Sequence, residues 1–165
     1  MYKTQKIINS FDNKDVVIKQ TLKENSETNI IIYAGVKGIK KVINVNFIHK
    51  PNSKLNILVN CIALKQGEIS ININNSVNKD IKNCVINQEV NGVVLDDTSS
   101  IKVLPTMKIA NKQVIANHSI NIGTVDQEKV FYLLTKGMSK VQAIKTLIDN
   151  MFDKADQKQL AKALS

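Results

Sequence analysis

The sequence predicts a mainly β body followed by a small helical region, and three observations carry that prediction. Across residues 29 to 122 the chain is a succession of short β-branched segments of alternating polarity. The breaks between them are built from residues that turn the backbone cheaply, and no helix-length periodic stretch intervenes. After Thr124 the period changes from that of a strand to that of a helix. Short strands without crossover helices point to a sandwich, a barrel or a β-solenoid and argue against a doubly wound α/β fold. No strict residue repeat chooses among the three.

The strand segments are NIIIYAGV, KVINVNFI, LNILVNCIAL, EISININ, IKNCVINQEV, GVVL, SIKVL, TMKIA and VIANHSINI. In the second, Val42, Ile43, Val45 and Phe47 are broken by Asn44 and Asn46. In the fourth, Ile69, Ile71 and Ile73 alternate with Ser70, Asn72 and Asn74, as a sheet with one buried face requires. Breaks are expected at Pro51-Asn52-Ser53, Gln66-Gly67, Asn74-Asn75-Ser76, Asn91-Gly92 and from Asp96 to Ser100. Beyond Thr124, Asp126 starts a helix whose Val130, Leu133 and Leu134 form an apolar stripe, and Gly137 stops it in a left-handed conformation. Ser139 and Gln142 have capping-box spacing, and the next helix carries Val141, Ile144, Leu147, Ile148, Met151 and Phe152 on one side. A third segment, 155–164, extends or follows it. The division is thus a β body over 1–124 and a helical region over 125–165, the latter too small to bury a core alone. It must dock on the body or on a partner.

Composition narrows the function. The 165 residues suit one domain, 43% are hydrophobic, aromatics are only 4% and Trp is absent, so the core is aliphatic. The net charge of +9 rides on a heavy use of Ile, Asn and Lys that an AT-rich genome would itself produce. Nucleic-acid binding is disfavoured by scattered lysines and few stacking aromatics, Lys37, Lys40, Lys41 and Lys50 being the one modest cluster. Cys61 and Cys84 form no C-x-x-C pair and lie at no zinc-site spacing from His49 or His118, so they are read as buried, reduced thiols of a cytoplasmic protein. No secretory h-region or membrane-length apolar run occurs. There is no P-loop pattern, no nucleophile–base pairing and no paired carboxylates, so no enzyme is expected, a polysaccharide-cleaving one included.

From Gly92 onward Pro105, His118, Gly123, Asp126, Phe131, Tyr132, Leu133 and Gly137, in that order, resemble the C-terminal signature of the SufB/SufD family, scaffold proteins of SUF iron-sulfur cluster assembly. Pro105, Met107 and Ile109 stand for Pro-x-Leu-x-Ile; Val114, His118 and Gly123 follow; Asp126 opens the helix; Phe131, Tyr132, Leu133 and Gly137 match Phe-Tyr-Leu and a closing Gly; Ala143 falls in the next helix. Three positions depart: Ala116 where a Cys is frequent, Ser119-Ile120 for Gly-Ala, and Thr135-Lys136-Gly137 for Ser-Arg-Gly. The resemblance implies a right-handed parallel β-helix with a helical end, and a SufD-like scaffold or accessory role. It implies that Asp126, Phe131, Tyr132, Lys136 and Gly137 lie in the part that binds a SufC-like ABC ATPase. It further implies pairing with a SufB-like protomer or a second copy, with a transient iron-sulfur cluster near that junction and His118 as its ligand.

From the residues alone, His118 reads as a polar residue at a strand end, hydrogen-bonded to backbone or Asn, and the resemblance sets the ligand reading level with it. Asp126 is sufficiently explained as a helix cap, and Phe131 and Tyr132 as packing for the tail. An interaction-only β-helix lacking cluster chemistry is the alternative, because Ala116 removes the soft thiolate iron favours. A helical tail is also one way to cap a solenoid's open end.

Overall fold

The structure, a computed structural model, describes residues 2–151. The expected third segment and the side chain of Phe152 lie outside them. Nine strands follow in chain order: β1 (Tyr2–Ser10), β2 (Val16–Thr21), β3 (Ser26–Lys37), β4 (Lys40–Ile48), β5 (Lys54–Leu64), β6 (Glu68–Val77), β7 (Cys84–Val94), β8 (Ser100–Ile109) and β9 (Val114–Thr124). Odd-numbered strands form one sheet and even-numbered strands the other, each hydrogen-bonded in parallel to the strand two places on. A chain that switches sheets at every corner and returns in parallel is winding. The result is a parallel β-solenoid of about four turns.

Period-two patterning explains the winding. In β6, Ile69, Ile71, Ile73 and Val77 are buried while their neighbours are half-exposed, and β4 and β5 supply Ile43, Val45, Phe47, Leu55, Ile57 and Val59 to the same interior. Each such side chain taken out of water stabilises the fold by about 1.5–3 kcal/mol, which is how a chain poor in aromatics still builds a core.

The outward rows carry stacked asparagines. Asn56 Nδ2 donates to Asn29 Oδ1 (2.7 Å), Asn87 to Asn56 (2.8 Å) and Asn117 to Asn87 (3.1 Å), across rung lengths of 27, 31 and 30 residues. Asn91 donates to Asn60 and Asn121 to Asn91, each at 3.1 Å. Asn72 and Asn74 donate to Asn44 and Asn46 on the other sheet. A further ladder runs down one corner through Asn25, Asn52 and Asn83, all three left-handed at φ 52°, 56° and 57°. Asparagine tolerates that conformation better than other residues with a Cβ, and there its amide also bonds the next rung.

Two helices follow, α1 (Gln127–Thr135) and α2 (Lys140–Ile148), then a 3₁₀ turn (Asp149–Met151). Asp126 Oδ1 accepts from the backbone N–H of Glu128 and of Lys129 at 3.0 and 3.2 Å. Gly137 lies at φ 87°, and the Met138 and Gly137 N–H groups close onto the Leu133 and Leu134 carbonyls, the hydrogen-bond pair of a Schellman ending. Ser139 and Gln142 form a complete capping box.

Several expectations are corrected. Strands β1 and β2 form a first rung upstream of the segments picked out from residue 29 on, inside the body expected over 1–124. Asn91-Gly92 and Asn74-Asn75-Ser76 lie inside β7 and β6, because their backbones stay in register with neighbouring rungs. Pro105 sits within β8, tolerated because β8 is an edge strand. The helices do not cover the solenoid's end: Val130, Leu133, Ala143, Ile144, Leu147, Ile148 and Met151 pack with Tyr33, Ile62, Leu64, Val93 and Leu95 on the flank of the odd-stranded sheet. Leu134 and Val141, assigned to the buried stripes, are exposed, and Ala143 is buried instead. Phe131 and Tyr132 do not pack the tail either, at 68% and 59% exposed.

Candidate functional site

With α1 and α2 on the flank, nothing among the described residues stacks on the last rung. β8 and β9 are the terminal strands of their sheets, and their exposed apolar residues include Leu104, Ile109, Ile120 and Ile122. His118 lies midway along β9 and not at a strand end. Its register partner is Gln88, and the row continues inward through Ile57 and Ile30, both core residues. The imidazole therefore belongs to the inward row, on the terminal rung of the described residues.

His118 is exposed and makes no side-chain hydrogen bond among the described residues. The reading of it as a histidine tied to backbone or Asn thus fails, for the flanking Asn117 and Asn121 are spent on the ladders. Gln88 beneath it is 4% exposed, and among the described residues both polar atoms of its amide are buried without a partner. Sequence reasoning missed Gln88, because a lone Gln within a strand pattern reads as an outward residue.

The other candidate donors are remote in function. Cys61 is fully buried and burial pushes its thiol up to about 12, so it is inert as a ligand. Cys84 is also buried, its Sγ 3.6 Å from Ser53 Oγ and 3.4 Å from the Lys50 carbonyl. His49 is enclosed with them, its Nδ1 3.1 Å from Ser53 Oγ and Nε2 3.0 Å from Asn75 Oδ1, and burial holds its pKa below the ordinary value. No group of three or more His, Cys, Asp or Glu side chains is placed to hold a metal among the described residues.

Lys41, counted above with the basic cluster, is wholly buried. Its Nζ donates to the Ser10 carbonyl (2.8 Å) and Oγ (2.7 Å) and lies 3.5 Å from Asp12 Oδ1. Burial lowers its pKa and Asp12 opposes that shift. The cluster thereby loses a member.

On the helices, the five residues implied in partner binding separate by role. Asp126 and Gly137 start and stop α1; the backbone N–H of Lys129 leads the causes holding Asp126 below the usual carboxylate range. Phe131, Tyr132 and Lys136 are a surface: Lys136 Nζ stands 5.3 Å from the Tyr132 ring centroid, a cation–π distance, and Leu134, Met138 and Val141 are exposed nearby in sequence.

Residues 13–151 match the family model for the SufBD core domain of SUF-system FeS cluster assembly, which takes in β2 through both helices. The chain belongs to the SufBD family. A SufBD family iron-sulfur cluster assembly protein of Staphylococcus aureus strain USA300 is 26% identical over 119 residues, covering 72% of this chain and 25% of that protein. A counterpart from Staphylococcus haemolyticus is 25% identical with the same coverage. The chain thus spans about a quarter of the length of the curated relatives it matches. The matching family is described as one of FeS cluster assembly, in which a cluster is cargo and not a resident cofactor. The donors fit that cargo only in part: one exposed imidazole stands at the open end, the position two residues before it is Ala116, and both thiols are buried. Among the described residues no helix is long and apolar enough to cross a membrane.

Proposed function

We propose that this chain is a SufD-like scaffold subunit, without turnover of its own, that acts in the cytoplasm on two surfaces. The bare rung formed by β8 and β9 receives a second scaffold protomer, SufB-like or a copy of itself. The Phe131, Tyr132 and Lys136 surface of α1 holds an ABC-type ATPase. The observation that carries the reading is the inward row that ends, among the described residues, in an exposed His118 without a side-chain hydrogen bond: a coil whose last described turn shows its interior between apolar edge residues is suited to completion by another chain. One imidazole is not a cluster site. The remaining ligands, thiolates above all, come from the partner.

Anaerobic co-expression with the SUF ATPase, the companion scaffold and the cysteine desulfurase tests this. Co-purification of ATPase and scaffold, with visible cluster absorbance that is lost on His118→Ala, is the expected result. An unrelated reproducible partner, or neither protein retained, overturns it. Ala116 favours one second reading, an interaction-only member. It predicts retention of both partners with absorbance indifferent to His118→Ala.

A further inference from the structure

We propose that Gln88 is the positioning residue of His118, fixing by one amide hydrogen bond which ring nitrogen faces outward. The inference deepens the scaffold reading and rests on it for the identity of what the free nitrogen meets.

The argument starts from two orphans in adjacent rungs. Among the described residues Gln88 Oε1 and Nε2 are both buried without a partner, in a solenoid whose other inward polar groups are mostly satisfied. Its neighbours in the row and along β7 are Ile57 on the preceding rung and Ile86 and Val90 on either side, none with a polar side-chain atom. His118, in register on the following rung, is the adjacent inward residue able to hydrogen-bond, and its imidazole is itself unbonded. Parallel strands lie about 4.8 Å apart, so a side-chain rotation spans the gap.

An amide can accept from a ring N–H or donate to a bare ring nitrogen. Only the first leaves the other nitrogen with its lone pair free, and it is the arrangement in which a histidine ligand is held by a carbonyl behind it. Gln88 Oε1 accepts from one ring nitrogen, the second points out of the open end, and a protomer seated on β9 encloses both. The orphaned amide is then a prepared seat that stays empty until the imidazole turns inward.

The test uses the full chain with ¹⁵N-labelled histidine at a pH where the ring is neutral. In the parent, one His118 tautomer predominates; in Gln88→Met the ratio relaxes several-fold toward that of free imidazole, and Zn(II), used as a probe, binds about tenfold more weakly. Gln88→Leu is the second variant. Both replace the amide by an apolar side chain of similar size in an aliphatic interior, and circular dichroism checks that each folds. A tautomer ratio unchanged in a folded variant overturns the proposal, whatever the Zn(II) affinity. The tautomer is read without any cluster, so failure of cluster assembly in the parent sinks the scaffold reading separately.

Discussion

Replacing Asn52 by Ala and by Gly separates the two reasons for asparagine at the solenoid corner. Asn52 donates to Asn25 (2.9 Å), accepts from Asn83 (3.2 Å), and holds φ at 56°. Both substitutions delete the two ladder bonds. These are solvent-exposed, so each is given the low end of the usual range, about 0.5 kcal/mol, or about 1 kcal/mol together. Alanine adds the cost of a Cβ in the left-handed region, about 1 kcal/mol more, which glycine escapes. The expected order is parent, then Gly lower by about 1 kcal/mol, then Ala lower by about 2 kcal/mol. In a domain of this size these are midpoint shifts of roughly 2–4 °C and 4–8 °C. Urea unfolding followed by circular dichroism measures both. Equal stability for Ala and Gly would refute the conformational part, and a Gly variant as stable as the parent would refute the ladder part.

Other consequences follow from buried groups and backbone shape. Burial depresses the His49 pKa, so the unfolded chain binds that proton more readily. Stability from His49 is complete above its ordinary value of 6.5 and is lost as pH falls through the depressed folded value; a melting series from pH 7.5 to 5 should decline, and His49→Gln should flatten it. Asp96 is held at about 2, chiefly by the Thr98 side chain and then the Lys65 N–H, against an ordinary 3.8; its contribution persists down to that value and disappears toward 2, and Asp96→Asn should reduce the acid sensitivity seen in that window. Cys61 should resist a thiol reagent in the native state and react once urea unfolds the chain; native labelling at that position would contradict its burial. Gly137→Ala should cost about 1 kcal/mol from φ alone, since no atom lies within 4 Å of the added Cβ, whereas Gly123→Ala meets neither obstacle and should melt with the parent.

The sequence made the strands from β3 onward legible because period-two patterning is strong wherever both faces differ. It failed at β1, whose residues are almost all exposed, and at Asn91-Gly92, where turn-forming chemistry was overridden by pairing on both sides. The abundance of Asn looked like a compositional accident. In the fold it forms ladders whose spacing drifts with rung length, 27 to 31 residues along one of them, and that drift hid the repeat. The caps Asp126, Gly137 and Ser139 were readable because they act locally. Lys41, His49 and Gln88 were not, since nothing local marks a polar residue as facing inward. His118 was singled out by its resemblance to a signature, while its position on an uncovered turn needed the stacking of β9 on β7.

Bolting the helix pair to the wall of the coil, and leaving its rim free, has a consequence for order of arrival. Under the proposed two-surface reading, a protein held by α1 and another stacked on the final turn would meet different elements of the molecule, so the two need not compete for one site. Any cooperation between them has to be transmitted through the rungs that separate flank from rim.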